Sequence, residues 1–195
     1  MIVFLHSVDA FTYDVGTVIC DGDYSCYGSY LTGVREAVEC SGEKACSEIF
    51  GENSGTYFVI SPFNKDGNFF DRDFSGDDYS DDITVTCDRK NDDQKSACGY
   101  YFDGQCDPDT LSRTRIDVGI EGTLKCQSET PGDFACEYIS FGGLNKAKNA
   151  QCNQIEGGDY ARRIFIRPDD FEPNGEQVFP KNSTAVEVCV DGIPQ

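Results

Sequence analysis

One nine-residue phrase is written twice near the start of this chain. Val18 to Cys26 reads VICDGDYSC, and Val38 to Cys46 reads VECSGEKAC. The copies are offset by 20 positions, with Val, Cys, Gly and Cys in register. The phrase recurs in looser form from Val85 to Cys98 and from Leu124 to Cys136, so four copies keep their ends while the loop between them changes length. Each closing Cys follows a small residue: Ser25, Ala45, Ala97 or Ala135. Internal repetition constrains a fold more than composition does, because each copy must build the same supersecondary unit. Val-x-Cys sends two side chains to one face of a strand. A Gly- and Asp-bearing loop then reverses or bends the chain. The repeated unit is strand, turn, strand.

Elsewhere the pattern is also that of strands. ITVTC (83–87), RRIFIR (162–167) and AVEVCV (185–190) are β-branched and apolar. Asn174-Gly175 is a type I′ hairpin signal. TGVREAVEC has room for two helical turns, but its second half belongs to the repeat. The expected class is all-β: one disulfide-rich domain over 1–195 with an acidic insertion at 61–82. Two architectures fit. In a disulfide-stapled, β-solenoid-like repeat domain the 20-residue offset is the coil length. In an Ig-like β-sandwich the cysteines close hairpins. The first offset favours the solenoid, whereas the 39 residues from Cys87 to Cys126 read as near two coils.

Eleven cysteines in 195 residues are a liability in a reducing cytosol unless they bind metal. Zinc sites call for C-x2-C pairs or Cys/His clusters. The chain has no C-x2-C, and its one histidine is His6. Disulfides in an oxidising, extracellular or luminal space are the better reading, so the protein is expected to be secreted. The variable loops between fixed ends suggest pairing within each phrase: Cys20–Cys26, Cys40–Cys46, Cys87–Cys98 and Cys126–Cys136. Stacked pairing between copies, Cys20–Cys40 and Cys26–Cys46, stays open. Cys106, Cys152 and Cys189 are left over, and an odd total leaves at least one thiol free or bonded to another chain.

The C-x-G-x-x-[SA]-C phrases CDGDYSC and CSGEKAC resemble secreted cysteine-rich repeat proteins of algae and other protists, often β-helical by prediction. The resemblance covers 18–46 well and 85–139 loosely. It implies an extracellular structural or adhesive role and transfers no catalytic residue.

Charge narrows the partners. Lys plus Arg number 16 against 35 Asp plus Glu, a formal charge of −19. Phosphate backbones need cationic partners, so nucleic acid is excluded. Divalent cations and basic partners are favoured. Within DRDFSGDDYSDD (71–82), Asp71, Asp73, Ser75, Asp77 and Asp82 offer oxygens to calcium, with Gly76 where a calcium loop turns sharply. The flanks GNFF and ITVTC are not helical, so this is a calcium loop between strands rather than an EF-hand. Asn182-Ser183-Thr184 is an N-glycosylation sequon. Catalysis has little support. A Ser-His-Asp or Cys-His site would have to use His6, and acids are too abundant for any pair to point to glycoside hydrolysis. Arg162, Arg163 and Arg167 are the basic residues that a polysaccharide lyase would use.

At the start, Val8 and Ala10 match the −3 and −1 positions of a signal cleavage site. The apolar run before them is too short for a secretory signal and lacks basic residues, which favours an ordered strand in IVFL. No stretch reaches transmembrane length. These readings converge on an extracellular structural protein that assembles with copies of itself into a filament, sheath or surface layer. A calcium-dependent adhesion or glycan-binding module is the alternative, and an enzyme acting on polysaccharide comes third.

Overall fold

The computed structural model describes residues 1–5, 11–12, 14–47, 58–63, 81–90, 96–99, 114–119, 121–131, 133–141, 152–166, 187–190 and 193–194. They hold fourteen strands: β1 (Ile2–Leu5), β2 (Phe11–Thr12), β3 (Val15–Asp21), β4 (Tyr30–Ser41), β5 (Phe58–Pro62), β6 (Thr84–Arg89) and β7 (Cys98–Gly99). They continue with β8 (Thr114–Ile116), β9 (Thr123–Ser128), β10 (Cys136–Phe141), β11 (Ile155–Glu156), β12 (Ala161–Ile166), β13 (Glu187–Val190) and β14 (Ile193–Pro194). Short 3-10 turns lie at Cys152–Gln154 and Gly158–Tyr160.

Among the described residues, pairing is parallel except where β13 meets β12 and β14. Successive parallel neighbours cannot be joined by a tight hairpin, so the chain must travel around before it returns alongside itself. It returns in register. Val18, Val38, Val85, Leu124 and Ile155 are Cα partners in a ladder through β3, β4, β6, β9 and β11. Two residues on, Cys20, Cys40, Cys87 and Cys126 stack in the same ladder. Period-two alternation puts both columns on one face, and all nine residues are buried.

A second ladder runs through the closing cysteines. The amides of Cys26, Cys46 and Cys98 donate to the carbonyls of Ala45, Ala97 and Ala135, one copy along, at 2.8, 2.9 and 3.0 Å. The small residue before each closing Cys is buried, so a larger side chain there would crowd the corner. A third ladder joins β2, β4, β5, β8, β10 and β12. Its core column is Leu31, Ile60, Ile116 and Phe141, each fully buried.

Strand β4 serves two ladders. Tyr30, Leu31 and Val34 pair in the third, and Ala37 to Ser41 pair in the first, with exposed Arg35 and Glu36 at the bend. TGVREAVEC is therefore strand throughout, because neighbours on both sides satisfy its backbone. Cys87 and Cys126 are direct partners in adjacent strands. Their 39-residue spacing therefore separates strands with none between them in the ladder, and not strands two steps apart. Ser61 and Pro62, the first residues of the stretch read as an insertion, belong to β5.

Candidate functional site

Four disulfides cross between the first and second ladders: Cys20–Cys26, Cys40–Cys46, Cys87–Cys98 and Cys126–Cys136. Their Cα separations of 5.6 to 5.8 Å lie inside the range a disulfide accepts. The bridges stack as rungs because their cysteines are register partners. The sulfurs of Cys20, Cys40 and Cys46 lie within 4.8 Å of one another, and all are buried. Thiolate is the metal-binding form of cysteine, and each of these sulfurs is already bonded in a disulfide. The cluster is a structural staple rather than a metal centre. Bridges of this kind belong to an oxidising compartment.

Each rung closes a turn. In the first two copies the turn has one backbone: Gly22 and Gly42 sit at φ +108° and +114°, Tyr24 and Lys44 at φ +58° and +50°. A bulky residue with positive φ is uncommon and costs on the order of 1 kcal/mol. Cross-copy contacts hold this conformation. The amides of Gly22 and Tyr24 donate to the carbonyls of Ser41 and Glu43, each at 2.8 Å. The amide of Glu43 donates to Asp23 Oδ1 at 2.8 Å, and the Tyr24 hydroxyl donates to Glu43 Oε1 at 3.0 Å. Lys44 Nζ lies 5.7 Å from the Tyr24 ring centroid, and Tyr27 meets that ring edge-on. Partial burial, followed by the bond to Glu43 and nearby carboxylates, raises the Tyr24 pKa. The result is a polar shelf of Asp21, Asp23, Tyr24, Ser41, Glu43 and Lys44. Sequence reading passed over this shelf, although the phrase alignment already places Tyr24 opposite Lys44 and Asp23 opposite Glu43.

Of the expected calcium ligands, Asp71, Asp73, Ser75 and Asp77 lie outside the described residues. Asp82 lies within them and is exposed; its Oδ1 accepts the Glu121 amide at 3.0 Å. It ties the approach to β6 to the loop before β9. Its neighbour Asp81 pairs with Arg35 at 3.0 Å, while Arg35 Nε pairs with Asp14 at 2.6 Å. The Arg35 guanidinium also sits 3.7 Å over the Phe63 ring. Bonding to Asp14 raises the Arg35 pKa further above its ordinary value. One arginine therefore grips Phe63 and Asp81, on either side of the acidic segment. Arg162 is similarly engaged, with the Glu137 carboxylate at 2.6 Å from Nε and the Phe134 ring 4.7 Å below. Asn182, His6 and Arg167 lie outside the described residues, and for Arg163 only the backbone is described.

Among the described residues the largest apolar exposure lies at the first strand and the residue before it. Met1, Ile2 and Phe4 are 79, 60 and 62% exposed. Strand β1 pairs with β3 along one edge, and among the described residues no strand pairs with its other edge. Among the same residues no helix is long and apolar enough to cross a membrane. Comparison with protein-family models, with curated proteins and with solved structures finds no match to this chain.

Proposed function

We propose that this chain is an extracellular structural subunit that assembles with copies of itself, and that its three ladders wind as a disulfide-stitched β-solenoid. The observation that carries the reading is the stack of register-paired strands, with cysteine rungs in four circuits. Such a stack extends along one axis, and each circuit contacts chiefly its neighbours. Stability is spent on stiffness, with buried columns inside and covalent rungs at one corner. The contact surface is the apolar edge of β1. Its outer edge, which no strand among the described residues pairs with, and its exposed Ile2 and Phe4 suit strand addition between copies. Size exclusion of the full chain at rising concentration tests this. Concentration-dependent assemblies that vanish in an Ile2→Lys/Phe4→Lys variant support it, and a strict monomer with or without calcium opposes it.

A second reading rests on the shelf around Tyr24. An exposed aromatic ring flanked by the carboxylates of Asp23 and Glu43 is a surface that a sugar can stack on and bond to. In this reading the chain is an adhesion or glycan-binding module, with calcium held by the segment at 71–82. A glycan array with and without chelator tests it, and binding that survives Tyr24→Ala removes the shelf from consideration.

A further inference from the structure

We propose that Cys152 and Cys189 form a fifth disulfide, which clamps the β13–β14 hairpin onto the last circuit of the ladder. The argument starts from where the rungs stop. In the last circuit, Ala161 is the Cα partner of Cys136, in the column of closing cysteines. Gly157 follows Glu156, the partner of Lys125, and so stands at the level of Cys126. A Cβ on Gly157 would collide with the Cys126 carbonyl oxygen, so this position has no room for a cysteine. The last circuit therefore lacks the rung that closes the four before it.

That circuit is also where the chain changes character. Strand β13 runs antiparallel to β12, pairing Phe165 with Val188 and Ile166 with Glu187, and β14 folds back on β13. The hairpin covers the open edge of the third ladder. Its strands are four and two residues long, too short to hold their place by pairing alone.

Two of the three remaining cysteines lie on elements that approach each other at this place. Cys189 is the Cα partner of Pro194 in β14, and β14 lies within 8 Å, Cα to Cα, of the 3-10 turn that begins at Cys152. The same hairpin approaches the second 3-10 turn, Gly158–Tyr160, through β13. Cys152 and Cys189 thus flank one end of the sheet, 37 residues apart in sequence. Cys106, by contrast, falls in sequence between β7 and β8 and lies outside the described residues. The bond forms by exchange with an external disulfide in the oxidising compartment. That disulfide accepts two electrons and two protons and leaves as two thiols, while the Cys152 and Cys189 sulfurs join. Cys106 then becomes the odd cysteine.

The test is non-reducing peptide mapping of the full chain, produced through an oxidising secretory route and alkylated before digestion. The proposal predicts one linked peptide pair carrying Cys152 and Cys189. It predicts that Cys106 is the single alkylated cysteine, or is joined to Cys106 of a second copy. A bridge from Cys106 to Cys152 or Cys189, or alkylation of all three, overturns it. A Cys189→Ser chain should expose one further alkylatable thiol, at Cys152, while a Cys106→Ser chain should keep the Cys152–Cys189 peptide. Loss of that peptide from the Cys106→Ser chain counts against the proposal.

Discussion

Gly22 and Gly42 occupy one position in two copies of the same turn, with nearly equal positive φ, yet their surroundings differ. A Cβ on Gly22 meets nothing within 4 Å, whereas a Cβ on Gly42 would lie 2.6 Å from the Gly22 carbonyl carbon. Gly22→Ala should therefore cost about 1 kcal/mol, from backbone strain alone. Gly42→Ala should cost ~1–3 kcal/mol more, because the adjacent copy must give way. Denaturant unfolding of both variants measures the difference, and equal costs would contradict the cross-copy packing. Tyr24 gives a second residue-scale prediction. Its pKa is raised above the ordinary value of 10.0, so the fold favours the neutral phenol. The stability this supplies is complete below the unfolded-state pKa and is lost as pH rises through the higher folded-state value. Ultraviolet difference titration against a Tyr24→Phe chain should show that the Tyr24 phenol ionises late. Tyr24 and Glu43 were legible only in hindsight, because a bond between a residue of one turn and the position one before its counterpart in the next requires knowing that the copies stack.

Each copy of the phrase is a strand and a corner closed by a rung, and the copies stack in register. A rung closing 6 to 11 residues of chain should stabilise by about 2–3 kcal/mol in the loop-entropy account. Replacing Cys40 and Cys46 together by Ser should cost about that much and leave the other three bridges intact, as unfolding and non-reducing mapping would show. Leu124→Ala should cost ~2–5 kcal/mol, because it opens a void inside the first ladder's core column. The repeated phrase made the strand-turn-strand unit readable, since Val and Cys two apart declare a buried face. It did not reveal which copies are neighbours. The spacing between copies varies, and spacing counts residues, whereas register counts strands. Cys87 and Cys126 are neighbours despite their 39 residues of separation. Arg35 was missed for a related reason: its partners Asp14, Phe63 and Asp81 lie 21 to 46 positions away. No local pattern marks such a clasp.

For the whole molecule, charge and assembly oppose each other. A formal charge of −19 makes copies repel. The Ile2–Leu5 segment carries no charged side chain, so it is a face where two copies can meet without placing acid against acid. Salt at physiological strength shortens the reach of the repulsion to ~8 Å. Assembly should therefore begin at lower protein concentration as ionic strength rises, which light scattering across a salt series would follow. The composition announced the excess of acid, and the cysteine count announced the disulfides. Neither could say which edge of the sheet has no partner strand among the described residues, because that depends on how the strands stack. The most direct test of the central claim is electron microscopy of the full native chain at physiological salt, beside its Ile2→Lys/Phe4→Lys variant. The account predicts ordered, elongated assemblies of the native chain and single particles of the variant. Single particles of the native chain at every concentration would contradict it.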